Sequence, residues 1–197
     1  LYLRLAILMN ILPYIKFNVE QLDKIGNTVI YLADRIPQLS KTKLLKLLYI
    51  LDEISIKKSG IPILNLKYKV WKFGPVSEEL FIELSSDSSL LEKFINRDNE
   101  GNHIVSKVKF NDDEFSENDI DLLNYVIEKY GNKTAKELVS YTHRVNSPWY
   151  ITAKQNSVLE LLENESINNT EYLIDMGMIV SHDERKLEIY SEYIESH

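Results

Sequence analysis

Ser40-Lys41-Thr42-Lys43-Leu44-Leu45-Lys46-Leu47-Leu48-Tyr49-Ile50-Leu51-Asp52-Glu53-Ile54-Ser55-Ile56-Lys57-Lys58-Ser59-Gly60 is the stretch whose reading decides the fold. Its Leu and Ile residues cover most of the circumference of a helix, and a helix that is apolar nearly all round is one that other elements surround. The spacing predicts a central helix from Lys41 to about Lys58, with Ser40 as N-cap, Gly60 as left-handed C-cap and Pro62 preventing continuation.

Upstream, Asn18 with Gln21 reads as a capping box. Leu22, Ile25, Val29, Leu32 and Ile36 then recur at three- and four-residue steps, predicting an amphipathic helix that Pro37 ends. Downstream, Ile63 to Phe73 reads as an extended segment or short strand, and Gly74-Pro75 as a chain reversal. Ser77 caps a short helix through Leu84, residues 85–89 form a polar connection, and Leu90 to Ile95 fits helix or strand. Residues 94–110, with turn signals at Asn99 to Asn102, predict a small β-hairpin.

Two further capping boxes, Ser116 with Asp119 and Thr134 with Glu137, open helices that Gly131 and His143 close. Ser147-Pro148 is N-cap and N1 of a short helix bearing Trp149 and Tyr150. Beyond Asn156 the pattern supports helical pieces at Thr170 to Met176 and Glu184 to Ile194. The expected fold class is therefore mainly α with minor β: a compact multi-helix domain with a short strand segment and a small β-hairpin.

At 197 residues, 44% hydrophobic and 27% charged, the chain suits one folded domain with an appendage. The absence of cysteine removes disulfides, thiolate metal sites and a thiol nucleophile, which fits the reducing cytoplasm. The apolar opening, Leu1 to Leu12, is interrupted by Arg4 and Asn10 and ended by Pro13, short of a membrane span. Residues 1–17 read as an N-terminal extension lying partly upstream of the natural start, 18–152 as the helical domain, and 153–197 as an acidic C-terminal region packed on or extending it.

A net charge of −7 argues against a generic nucleic-acid binder, because phosphate neutralisation needs a basic face. Lys41 to Lys72 is nonetheless locally basic, opposed only by Asp52 and Glu53, and the chain from Glu160 onward is strongly acidic. No Gly-rich phosphate loop, nucleophile elbow or paired histidines at ligand spacing is present. His103, His143, His182 and His197 are scattered, and Asp112, Asp113 and Glu114 read as a solvated turn ahead of a helix rather than a cation site. The residues point to no catalytic group, cofactor or metal.

The string Lys41 to Tyr49 followed by Asp52, then Ser59-Gly60-Ile61-Pro62-Ile63, then Tyr68 through Phe73-Gly74-Pro75-Val76, resembles the core signature of the Panacea (SocA-like) antitoxin-associated domain family. A second block, Phe115 to Trp149, is similar to the family's later helices, so the resemblance spans about 18–152. The chain departs at Ile50, where an aromatic is frequent, and at Arg144 and Val145, where acids are expected. The resemblance implies a cytoplasmic antitoxin that neutralises a cognate toxin by direct binding, with delivery of the toxin to a protease as a variant. Lys43, Leu44, Tyr49, Asp52, Gly74, Pro75, His143 and Trp149 are then scaffold. Partner contact is expected from Lys57, Lys58, Lys67, Lys69, Trp71 and Lys72 and from Glu184, Glu188 and Glu192 on the acidic tail. Two alternatives stand beside it: a phage-related or DNA-binding regulator using the lysine-bearing helix, and a cryptic hydrolase requiring Asp52, His143 and a hydroxyl in one cleft.

Overall fold

The computed structural model describes residues 17–85, 90–98 and 101–197. The protein is mainly α with two small antiparallel hairpins, in the order α1 (Val19–Ala33), α2 (Lys41–Ser59), β1 (Lys69–Trp71), β2 (Gly74–Val76), α3 (Glu78–Glu83), a 3-10 turn (Leu90–Lys93), β3 (Ile95–Arg97) and β4 (Ile104–Ser106). Then follow α4 (Glu117–Tyr130), α5 (Ala135–Thr142), α6 (Pro148–Gln155), α7 (Leu159–Glu163), a second 3-10 turn (Met176–Val180) and α8 (Glu184–Ser196). No helix of the described residues is long and apolar enough to cross a membrane.

Helix α2 is central, as its all-round apolar character requires. Ser40 Oγ accepts from Lys43 N–H, Gly60 closes the helix at φ +83°, and Leu44, Leu45, Leu47, Leu48, Ile50 and Leu51 are all buried. Around it pack α4, α5, β2, the Met176–Val180 turn and α8. Each fully buried Leu or Ile contributes about 1.5–3 kcal/mol relative to an exposed one, so this helix organises the core.

Most local capping signals are realised; the exception among the hydroxyls is Ser77, which stands at the N-cap of α3 but makes no side-chain cap hydrogen bond, its Oγ donating to Glu79 Oε2 at 3.3 Å instead. Both the Ser116–Asp119 and Thr134–Glu137 boxes form, and Ser147 Oγ accepts from Tyr150 N–H with Pro148 at N1. At Asn18 only half the expected box exists: its side chain accepts from Gln21 N–H at 2.7 Å, but the Gln21 amide donates to Leu64 O and Asn65 O instead. Helix α1 ends at Ala33, one turn before Ile36, although Ile36 is buried.

Other expectations need correction. The first reversal turns on Lys72-Phe73, because Trp71 pairs with Gly74, so Gly74-Pro75 lies in the strand after the turn. Gly131 does close α4 as its C-cap, in the right-handed region at φ −61°. The 94–110 hairpin forms over Ile95–Arg97 and Ile104–Ser106 only, and 86–89 and 99–100 of the two polar connections lie outside the described residues, as does the N-terminal stretch 1–16. Most substantially, Thr170 to Ile174 is not helical. It runs extended along the free edge of β1, with Val70 N–H donating to Tyr172 O and Ile174 N–H to Tyr68 O. An unpaired strand edge offers hydrogen bonds that a short helix cannot match, and it recruits this segment.

The C-terminal elements close the core. Ile174, Met176 and Val180 join the same buried cluster as α1 and α2, and α8 packs on the Met176–Val180 turn and the end of α2. A Cβ at Gly60 would stand 2.7 Å from Lys186 O, so the glycine that ends α2 also lets α8 approach.

Candidate functional site

The motif residues, far apart in the chain, meet inside the molecule. Lys46, 1% exposed, donates through Nζ to Pro75 O at 2.6 Å, tying the centre of α2 to the first hairpin. Burial pulls its ammonium down to about 7, since the low-dielectric interior disfavours the charged form. Gly74, at φ +93°, lies against Thr142: a Cβ there would be 2.6 Å from Thr142 Oγ1 and 3.4 Å from both His143 Nε2 and Lys46 Cε. Trp149 seals the other side, donating from Nε1 to Trp71 O at 3.0 Å and stacking on His143 with ring centres 3.8 Å apart. The Gly-Pro strand is thus clasped between α2, α5 and α6.

A second buried network sits further along α2. Asp52 accepts from Leu64 N–H at 2.7 Å, Leu66 N–H at 3.2 Å and Tyr68 OH at 2.9 Å, holding the loop into β1 on the helix. Burial raises its carboxyl to about 6 against these hydrogen bonds. Tyr49 packs edge-on against Tyr68, Leu44 is fully buried, and Lys43 Nζ donates to Gly131 O at the end of α4.

Asp52 and His143 therefore serve different networks, and no hydrogen bond joins them among the described residues. His143 Nε2 is buried without a partner there, and burial followed by the nearby Lys46 charge lowers its imidazole to about 4, leaving it neutral at physiological pH. The hydrolase arrangement, a base oriented by a carboxylate beside a hydroxyl, is not assembled from these groups. Among the described residues no group of three or more His, Asp or Glu side chains is placed to hold a metal ion.

The basic strip does not stay together as one surface. Lys69 pairs with Glu78 and Glu171, and Lys72 with Glu165 at 3.1 Å, so the acidic C-terminal segment neutralises part of the strip from within. Trp71 is half-buried against Phe81, and Lys67 is exposed. Lys57 and Lys58 are exposed on the last turn of α2, where Lys57 O accepts from Lys186 Nζ of α8. Glu184, Glu188 and Glu192 occupy one exposed face of α8 at four-residue spacing.

The structure adds a feature that sequence reasoning missed. Glu53, 4% exposed, receives Arg144 Nη2 on Oε1 at 2.6 Å, and Arg144 lies over the Tyr141 ring. These two residues stand 91 positions apart, and only the unexpected basic residue at 144 hinted that the segment after α5 differs here. Their pair forms part of a groove of about 940 Å³ between the end of α2, α4, the loop after α5 and the Met176–Val180 turn.

The family model described as "Antitoxin SocA-like, Panacea domain" matches residues 44–150, more than half of the chain, from α2 into α6. The chain belongs to the SocA-like Panacea domain family. The matched span contains the Lys46–Pro75 tie, the Asp52 network and the His143–Trp149 stack, and excludes α1 and α8. Neither the curated proteins nor the solved structures gave a match.

Proposed function

We propose that this protein is an antitoxin that silences a cognate toxin by holding it directly, acts in the cytoplasm and performs no catalysis of its own. The family match carries this reading. The interior supports it: Lys46, Asp52, His143 and Trp149 are spent on clasping the first hairpin and the loop before it. The surface is left to meet a partner, whose occupancy alone blocks the toxin's own site. Delivery of the captured toxin to a protease is a variant in which the same contact also recruits the proteolytic machinery.

Co-expression tests the reading. The product of the neighbouring gene is induced with and without this protein, growth is followed, and the tagged toxin is purified. Relief of arrest together with a stoichiometric complex is expected. Arrest that persists although both proteins accumulate in soluble form refutes the proposal. Toxin half-life in the same cells separates occlusion, where it is unchanged, from delivery, where it shortens.

A further inference from the structure

The groove beside α2 combines features that point to a ligand. Its described lining holds four cationic side chains, Lys57, Lys58, Lys129 and Arg144, against a single carboxylate, Glu53, in a chain whose net charge is −7. Arg144 is paired with Glu53, whereas the ammonium groups of Lys57, Lys58 and Lys129 have no carboxylate partner among the described residues. Tyr125, 38% exposed, lies between two of them, with Lys58 Nζ 5.3 Å and Lys129 Nζ 5.2 Å from its ring centre. The inner wall is closed by the Glu53–Arg144 pair, with the Glu53 side chain only 5% exposed, so the one carboxylate of the lining is screened from an occupant.

We propose that this groove docks an acidic polypeptide segment of the partner protein, its carboxylates lying against Lys57, Lys58 and Lys129. The inference rests on the protein-binding reading above and gives it a location. A phosphodiester backbone would meet the same lysines; the protein-binding reading selects a polypeptide, and the oligouridylate arm of the test separates the two. The protein's own residues 1–16 contain Arg4 and Lys16 and no Asp or Glu, so they lack the complementary charge. Electrostatic complementarity of this kind speeds encounter and selects among partners.

The test uses fluorescence anisotropy with the full chain and a fluorescein-labelled glutamate–tyrosine copolymer, with polylysine and oligouridylate for comparison. Saturable binding of the acidic copolymer is expected, with Lys57→Glu/Lys129→Glu weakening it at least tenfold at unchanged melting temperature. A control pair with the same charge change outside the groove, Lys109→Glu/Lys136→Glu, is expected to stay within twofold. Equal loss from the control pair, no binding of the acidic copolymer, or tighter binding of oligouridylate each overturns the proposal. So does a self-association by light scattering that only the groove pair abolishes, because the occupant would then be a second copy. If the groove variants lose the copolymer but wild type relieves no toxin, the antitoxin reading fails and the groove stands. If wild type and groove variants neutralise the toxin equally, the groove inference fails and the antitoxin reading stands.

Discussion

Replacing Lys46 by Met should abolish a rise in stability with pH that few folded domains would show. Lys46 is fully enclosed, its ammonium offered to Pro75 O, and burial lowers it from 10.5 to about 7. A base whose folded value is depressed binds fewer protons when folded than when unfolded, so stability increases as pH rises from about 7 toward 10.5. The full shift corresponds to about 5 kcal/mol, of which roughly 2 kcal/mol falls between pH 7 and 9. The window should stop there, because buried Tyr49 and Tyr68 are pushed well above 10, and ionisation of unfolded-state tyrosines then lowers stability. For a chain of this size about 2 kcal/mol moves the melting temperature by roughly 4–8 °C. Met fills a similar volume, removes the ionisable group and leaves Pro75 O without its donor, a cost of about 1–3 kcal/mol that relief from burying an amine partly offsets. Chemical denaturation of both proteins at pH 7, 8 and 9 reads the difference. A wild-type slope that is flat, or one that Lys46→Met retains, would refute the assignment of that burial energy to Lys46.

Asp52→Asn tests the second network with the opposite slope. An acid raised from 3.8 to about 6 binds extra protons when folded, so wild type should lose up to about 3 kcal/mol as pH rises between those values, and denaturation curves of the Asn variant should lack that loss. Gly74→Ala should cost about 2 kcal/mol or more, since φ +93° is unfavourable for a side chain and its Cβ would meet Thr142 Oγ1; a melting temperature equal to wild type would contradict the clasp. Gly26→Ala lies within α1, where alanine ordinarily adds helix stability, yet here the Cβ would stand 2.3 Å from the Phe94 ring, so thermal melts should show a loss of about 1–3 kcal/mol.

What could be read from the sequence was whatever depends on neighbours a few residues away. Ser40, Ser116, Thr134 and Ser147 cap as their spacing predicts, because each hydroxyl stands three residues from an unpaired N–H, whereas the Ser77 hydroxyl is taken by the nearer Glu79 carboxylate. Gln21 had the same local cue and departed from it, drawn to carbonyls 43 and 44 residues onward. The segment Thr170 to Ile174 misled for the same reason: its partner is the edge of β1, about a hundred residues earlier, and no local pattern reports a vacant strand edge. Residues such as Lys46, Asp52 and Trp149 could be picked out as motif members. Their convergence on one hairpin and the loop before it required the fold.

Successive positions on α2 show why the motif and the groove are separable. Residues one apart on a helix point about 100° from each other. Asp52 turns toward the loop at Leu64 and Leu66, while Glu53 turns to the groove and meets Arg144. The first contact holds the domain together; the second lines a surface built on the same rigid helix. A partner segment entering the groove would therefore meet a charge pair already held by the core, and little of its binding energy would be spent on ordering the site. Arg144 makes the separation chemical as well as geometric. An acid in its place would bring a second negative charge against buried Glu53, which already lacks a donor on Oε2, and the groove would lose the cation that holds its inner wall. The departure from the family pattern at 144 thus bears on the groove, and it touches the family motif at one point, where Tyr49 OH donates to Glu53 Oε1 at 3.4 Å, the oxygen that Arg144 also holds.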